Sequence, residues 1–529
     1  METALTCTIG VSVILLAYRI ARIGKRENYL PHGPPTVPLL GNLNIFPTSK
    51  AHLKFTEWAR IYGSIYSLKI GPSTAIVLTD VDAVKEILEK RSQLTADRPP
   101  FYVGDLVTEG MNIGLARYTE TWRMQRRFMH ELLSRNACAS YISIQQAESQ
   151  QLLFHFTNFV SSDLFQDFYQ HISRYSFSVI LSVLFGKRAP HHNSKALSDF
   201  CAMEKRWQAI MAPGAVPPVD LLPILKYVPK RFAQWKVEAE VVREMQQKLY
   251  GDLLNETQER VTHGNENGCF MGKVLSRRST FDLSDRQIAY LGGAIIEGAA
   301  GTSAAWIKVL VMAMVTHPNA QRKAHEELDR IIGSARMPLL EDLSQLPYIQ
   351  AIIREVHRWR PIAPAGVPHT SIEDIHYQDY TIPANTIIFT NIWGISHDPT
   401  RYDRPDDFWP DRWLLNEYGL KNGAKDPNMN PAWFGSGRRS CPGIHLAHNS
   451  IAINTMNLLW AFDLSPEIDE STGDPIEIDV FDFAEGLEAS PKPFACRMTS
   501  RSRQHTDIVE HDFIASREAF DRYEHQVNT

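Results

Sequence analysis

Helical spacing of apolar residues dominates the chain, and its longest run lies between Leu283 and His317. Ile288, Leu291 and Ile295 recur at three- and four-residue intervals, and Trp306, Ile307, Val309, Leu310 and Met312 carry the pattern on. That spacing predicts one long helix. The same period predicts helices over Ala51–Tyr62 (Leu53, Phe55, Trp58, Ala59), over Leu346–Trp359 and from Gly443 onward (Ile444, Ala447, Ile451, Leu458). Asp82–Glu89 reads as a shorter helix, and residues 140–280 as mostly helical with a surface loop at Gly264–Gly268. Between Ser64 and Thr79 the period changes to two about a Gly71-Pro72 turn, which predicts a hairpin. After Trp460 the apolar run gives way to charged and β-prone segments. The expected fold class is mainly α with a small β region, without internal repeats.

Two stretches break the pattern. Residues 95–118 carry Pro99, Pro100, Gly104, Gly110 and Gly114 and few regular signals; long irregular stretches inside a compact domain are often functional. At the start, Ala4 to Ile23 is mostly apolar and is followed by Lys25 and Arg26. About 20 apolar residues span a bilayer, and positive residues after the span place the bulk of the chain on the cytoplasmic side. Residues 1–25 are therefore expected to be an uncleaved, single-pass membrane anchor. A proline-rich hinge over 26–48 (Pro31, Pro34, Pro35, Pro38) follows, then a catalytic domain over 49–505 and a charged tail over 506–529, frayed or helical.

Composition adds exclusions. The chain has 529 residues, 44% hydrophobic and 22% charged, which is ordinary for a globular protein with a large core. A net charge of -5 argues against nucleic-acid binding. Six cysteines scattered without paired spacing fit a reducing compartment better than a disulfide scaffold.

One of those cysteines stands apart. Residues 434–443 read Phe-Gly-Ser-Gly-Arg-Arg-Ser-Cys-Pro-Gly, a glycine-rich turn that presents Cys441 just before a helix starts. Backbone N–H groups and the positive end of the helix dipole favour a thiolate there. A thiolate can ligate a soft metal such as haem iron, with Arg438 and Arg439 placed to neutralise haem propionates. The alternatives are a buried apolar cysteine, or a zinc site of Cys441, His445 and His448 that lacks a fourth ligand.

Other constellations join it. Gly298-Ala299-Ala300-Gly301-Thr302 interrupts the long helix, and two interior glycines cost about 1 kcal/mol each relative to Ala. They either let a flat ligand reach the backbone or mark a close helix crossing. Trp122 and Arg126 lie on one helix face, where an indole N–H and a guanidinium suit a carboxylate; Arg123 and Arg127 flank them. Glu355 and Arg358, three apart, also share a face.

The 434–443 stretch resembles the haem-binding signature of the cytochrome P-450 superfamily, with Phe434, Gly437, Arg439, Cys441 and Gly443 in its specified places. The resemblance, of fungal microsomal type, extends from Trp122 to Gly443 and implies a single haem-thiolate domain. Cys441 would be the axial ligand of haem b, and Trp122 and Arg126 would contact its propionates. His369 is expected to reach one as well. Glu355 and Arg358 would lie buried behind the haem, with Arg412 completing their network. Thr302 sits at the family's alcohol position on the central helix. The acid normally before it is absent, replaced by Gly301, and Glu297 one turn earlier is the expected proton relay. The resemblance further implies O2 as oxidant, NADPH-derived electrons from a reductase partner, endoplasmic-reticulum localisation, and oxidation of a small hydrophobic, aromatic secondary metabolite. The missing acid motivates an alternative: oxidative coupling of phenolic or indolic rings without oxygen insertion.

Overall fold

The computed structural model describes residues 18, 22–157, 164–212, 214–278, 283–423, 432–484 and 486–524. The expected anchor falls almost wholly outside them, as does the last part of the tail. The principal helices are α1 (Ala51–Tyr62), α2 (Glu120–Leu132), α3 (Ile142–Thr157), α4 (Leu164–Phe185), α5 (Lys195–Met211), α6 (Gln234–Thr262), α7 (Asp285–Thr316), α8 (Pro347–Trp359), α9 (Ile444–Ala461), α10 (Arg503–Ala515) and α11 (Arg517–Glu524). The β structure is small. The hairpin β1 (Ile65–Ile70) and β2 (Ser73–Leu78) forms as its alternation predicts. β2 then pairs in parallel with β6 (Ile387–Thr390), which carries β3 (His369–Thr370) on its other edge. Two-stranded ribbons join β4 (Ile375–Tyr377) to β5 (Tyr380–Ile382), β7 (Phe462–Pro466) to β10 (Cys496–Ser500), and β8 (Phe483–Ala484) to β9 (Ser490–Pro491).

The long helix α7 organises the core. Ser284 caps it, accepting from the Gln287 backbone N–H while the Gln287 side chain accepts from the Ser284 N–H. Its first half, through Ala300, packs into one apolar cluster with α4, α5 and α6. Its second half, from Ala304, packs into another with α3, α8 and α9. Residues 301–303 fall between the two clusters. α7 is also the one helix among the described residues long and apolar enough to cross a bilayer, but 67% of its apolar window is buried inside the protein.

Both ends pack on the domain, and the described part of the tail is helical. The described part of the hinge is no free linker. Arg26 donates to Ser67 Oγ at 2.8 Å and to the Pro34 carbonyl, and Gly41 bridges to Ile70, so this segment lies along β1. The tail boundary expected after 505 falls inside α10. α10 docks on α3, where Phe513 stacks on Phe154 at 4.3 Å, and α11 lies beside the segment after α4, its Phe520 ring 3.5 Å from the Arg188 guanidinium. The charge-rich composition of 501–529 hid these apolar contacts. Between 95 and 118 a helix does form over Tyr102–Thr108, with buried Val103 and Val107.

Candidate active site

A cavity of about 370 Å³ lies between α7, α2, α8, β3 and the start of α9. Cys441 opens on one wall and Gly298, Ala299, Thr302 and Ser303 of α7 line another. The cysteine loop owes its shape to two glycines in the left-handed region, Gly435 (φ +74°) and Gly437 (φ +59°). Gly437 has a second constraint: a Cβ there would sit 2.0 Å from the Leu88 carbonyl oxygen. Leu88 belongs to a π-helical turn over Lys85–Lys90 that carries its backbone against the loop. The Cys441 N–H donates to the Phe434 carbonyl at 2.7 Å, closing the turn.

Burial pushes the Cys441 thiol up from its ordinary value, against the Gly443 N–H and Arg126, which pull it down. Desolvation outweighs the helix terminus and the arginine at this sulfur. A bound metal supplies what is lacking, because it displaces the thiol proton outright.

Three guanidiniums line the same cavity: Arg98, Arg126 and Arg439. Arg98 donates to the carbonyls of Val367 and Pro368 at 2.8 and 2.7 Å. Arg439 donates to those of Ala96 and Ala116, and Arg126 to that of Ser440. No carboxylate pairs with any of the three among the described residues; nearby Asp97 is tied to Arg117. Burial pulls Arg98 down to about 9 and Arg439 to about 10. Buried cations of one sign without counter-charge are costly, and a dianionic ligand such as haem, with two propionates, relieves that cost. The residues present fit the group: a cysteine on one wall, guanidiniums at the edge, small residues on the opposite helix.

Several expected roles change in detail. The Trp122 indole N–H donates to the Ile113 carbonyl at 3.0 Å, and its face lies 4.0 Å from the Arg439 guanidinium. It braces an arginine by cation–π contact rather than aiming its donor at a carboxylate. His369 lines the cavity, but its Nδ1 hydrogen-bonds the Thr95 carbonyl at 2.8 Å. Burial and the neighbouring Arg98 pull the ring down to about 3, so it is neutral, and its Nε2 is left as an acceptor. Arg98, which the sequence reading missed, is the better carboxylate partner. It sits at the start of an irregular stretch, where no periodicity singles it out.

Glu355, Arg358 and Arg412 come together in one buried network. Glu355 and Arg358 are fully buried and pair through two bonds of 2.7 and 2.9 Å. Arg412 donates to Glu355 at 3.2 Å, the Trp409 N–H at 2.7 Å and the Trp413 indole at 2.9 Å. Arg358 also donates to the carbonyls of Ser396, Pro405 and Asp407. Phe434 lines the cavity and meets the rings of His357 and His448 edge-on at 5.2 and 5.0 Å. His357, also missed, stacks on Trp433 with its Nε2 unpartnered. Cys441, His445 and His448 do not form a zinc site; no group of three such ligands converges among the described residues.

The α7 glycines separate into two kinds. A Cβ on Gly292 or Gly293 would strike Phe185 or Tyr250 at about 2.5 Å, so these permit close helix packing. A Cβ on Gly298 would meet nothing within 4 Å, so that position opens onto the cavity instead of a packed neighbour. Thr302 donates back to the Gly298 carbonyl at 2.8 Å, and Ser176 of α4 donates to the Ala300 carbonyl at 2.7 Å. Glu297 is not on the cavity wall. Its carboxylate accepts from Asn112 and Gln246 at 2.8 Å each and from the Tyr250 hydroxyl. It ties α7 to α6 and to the 111–116 segment.

Comparison with known proteins agrees with this geometry. The profile of the family Cytochrome P-450 matches residues 31–481. A cytochrome P-450 monooxygenase of Armillaria gallica is 40% identical over 523 residues, 99% of each chain. Another, patI of Penicillium expansum, is 35% identical over 518 residues, 97% of each. A solved zebrafish cytochrome P-450, in a structure with progesterone, superposes with a TM-score of 0.69 at 22% identity, covering 85% of this chain and 99% of that one, and shows the same fold. The chain belongs to the cytochrome P-450 family. It is a haem-dependent monooxygenase, a class that uses O2.

Proposed function

We propose that the chain inserts oxygen into a small hydrophobic, aromatic secondary metabolite, drawing electrons from NADPH through a reductase while held at the endoplasmic-reticulum membrane. The observation that carries this reading is the composition of the cavity wall facing Cys441. Ile113, Val179, Ile180, Ile295, Ile362 and Val367 present an apolar surface, with Thr302 and Ser303 as the hydroxyls of α7. Such a wall favours an apolar substrate by burial and excludes water from the site. Haem held by Cys441 and the three arginines would supply the oxygen chemistry, the thiolate favouring O–O cleavage. The protein's part is to hold the C–H bond near Gly298 and to keep protons moving only along its own side chains.

Surface features support the partners. Val37, Leu39, Leu40 and Ile45 are exposed, as are Leu222, Ile224, Tyr227 and Phe232. Leu221 packs with Leu43 and Phe46 against the same apolar cluster, which makes these two groups neighbours. An apolar face of this extent suits a lipid surface. Arg123, Arg127 and Arg438 are exposed beside the cysteine loop and suit an acidic reductase face.

The test is expression of the chain with a reductase in a host fed extracts from the producing organism, beside Cys441→Ala. A product heavier than its precursor by one oxygen, absent with Cys441→Ala, supports the reading. A doubled skeleton that has lost hydrogens supports oxidative coupling instead. No change in any metabolite contradicts both.

A further inference from the structure

Inserting one atom of O2 into a C–H bond, with the other leaving as water, consumes two electrons and two protons. The protons must enter a cavity whose wall is mostly apolar. α7 carries no acid beside Thr302, since residue 301 is glycine. Yet a carboxyl fills that space. A Cβ built on Gly301 would lie 2.2 Å from Glu488 Oε1 and 2.8 Å from Oε2. Glu488 comes from the turn between β8 and β9, nearly 190 residues further along the chain. That turn is pinned on both sides. The Ala489 N–H donates to the carbonyl of Ile362, a cavity residue, at 2.7 Å, and Tyr169 of α4 donates to the Lys492 carbonyl at 2.9 Å.

We propose that Glu488, seated against Gly301, is the acid that exchanges protons for this site in place of the one missing before Thr302. The proposal rests on the monooxygenase chemistry of the family and on the contact between Glu488 and Gly301. Glu204 is part-exposed on a helix whose neighbouring residues Cys201, Ala202, Lys205 and Arg206 are exposed, so it borders solvent. Gln208, one turn on, donates to Glu204 at 2.9 Å and also hydrogen-bonds Glu488. The second oxygen of Glu204 has no partner. Gln208 thus holds the two carboxyls side by side, with Glu488 seated against α7 at Gly301, the residue before Thr302. Gly301 matters because any side chain there would displace the carboxyl.

The groups facing Glu488 are Glu204 and Gln208 from α5 and Lys308 from α7. Burial, then the charge of Glu204, pushes Glu488 up to about 7, against Lys308 and Gln208. Burial raises Glu204 to about 7 as well, and pulls Lys308 down to about 8, with Glu488 and Cys201 opposing. Lys308 lies over the Tyr169 ring and 3.5 Å from Ser173 Oγ, with no ion pair to Glu488 among the described residues. Glu488 is therefore not held as a fixed counter-ion. A carboxyl that titrates near neutrality can both carry and release a proton.

The experiment uses the haem-loaded full chain adsorbed on an electrode, where O2 reduction is driven without reductase or organic substrate. The catalytic current should fall about a hundredfold in Glu488→Gln, the lower end of the range for loss of a positioned proton donor, with haem loading unchanged. The wild-type current should decline as pH rises through about 7, and that inflection should vanish in the variant while the solvent isotope effect grows. Glu488→Ala should be equally impaired, and Gly301→Asp combined with Glu488→Ala should restore current by placing an acid on α7 itself. Infrared titration of the haem-free protein supplies a second readout: a protonated carboxyl band titrating near neutrality that Glu488→Gln removes. An unchanged current and pH profile in Glu488→Gln, or no rescue by the paired substitution, overturns the proposal and leaves the family assignment untouched.

Discussion

Replacing Glu355 by Gln removes one charge and almost no volume from the core behind the cysteine loop. Glu355 is fully buried and receives two bonds from Arg358, one from Arg412, one from the Trp409 N–H and one from the Trp413 indole. The amide keeps part of this bonding but leaves two buried guanidiniums without an anion. Removing one partner of a buried ion pair costs about 3–5 kcal/mol. We take about 4, since Arg358 and Arg412 keep their carbonyl acceptors. For a chain of 529 residues the unfolding entropy is about 1 kcal/mol/K, so the melting temperature should drop by about 4 °C. Because Arg358 also holds the carbonyls of Ser396, Pro405 and Asp407, the loss should loosen the floor beneath Cys441 and reduce haem retention. Scanning calorimetry at a fixed rate, with Soret absorbance per protein, measures both. A melting temperature within about 1 °C of wild type, with full haem content, would refute the assignment of this carboxylate as the anion that neutralises both arginines.

Other outcomes follow from single contacts. Gly437→Ala should abolish stable haem loading, since its φ of +59° resists any side chain and the Leu88 carbonyl occupies the Cβ position; absorbance of the purified protein reports this. Arg98→Gln should speed haem loss to a scavenger globin by about 10- to 100-fold, the range for one or two hydrogen bonds to a charged group, while His369→Ala should change it much less. Burial and the charge of Glu204 raise Glu297 to about 8 from the ordinary 4.5. A carboxyl that binds its proton more tightly when folded contributes stability that is complete below about pH 4.5 and lost as pH rises through about 8. Glu297→Gln should therefore flatten the decline in melting temperature between pH 6 and 8.5, and an unchanged decline would count against the assignment.

Elements whose residues pack on their own sequence neighbours were legible from the pattern. α1 begins and ends where its apolar spacing does, and α7 differs from expectation by only a residue or two at each end. The Glu355–Arg358–Arg412 network came from the family resemblance alone, since spacing shows only that Glu355 and Arg358 share a helix face. What stayed hidden depends on contacts between distant segments. Arg98 lies in an irregular stretch, and its importance comes from Val367 and Pro368, some 270 residues away. Glu488 sits in a short turn of mixed composition, and only the fold brings it to Gly301. The sequence showed a gap on α7 and offered Glu297 to fill it. The three donors around Glu297 hold that acid elsewhere. The Glu488 carboxyl occupies the space beside Gly301 that a side chain at that position would have filled.

The central claim is that Cys441 binds haem iron through its sulfur. The carbon monoxide difference spectrum of the reduced, purified protein tests it most directly. Wild-type protein should show the long-wavelength Soret band of thiolate-ligated haem, lost in Cys441→His in favour of the band of a nitrogen-ligated globin-like haem. Protein without iron porphyrin, or a Cys441→His spectrum identical to wild type, would contradict it.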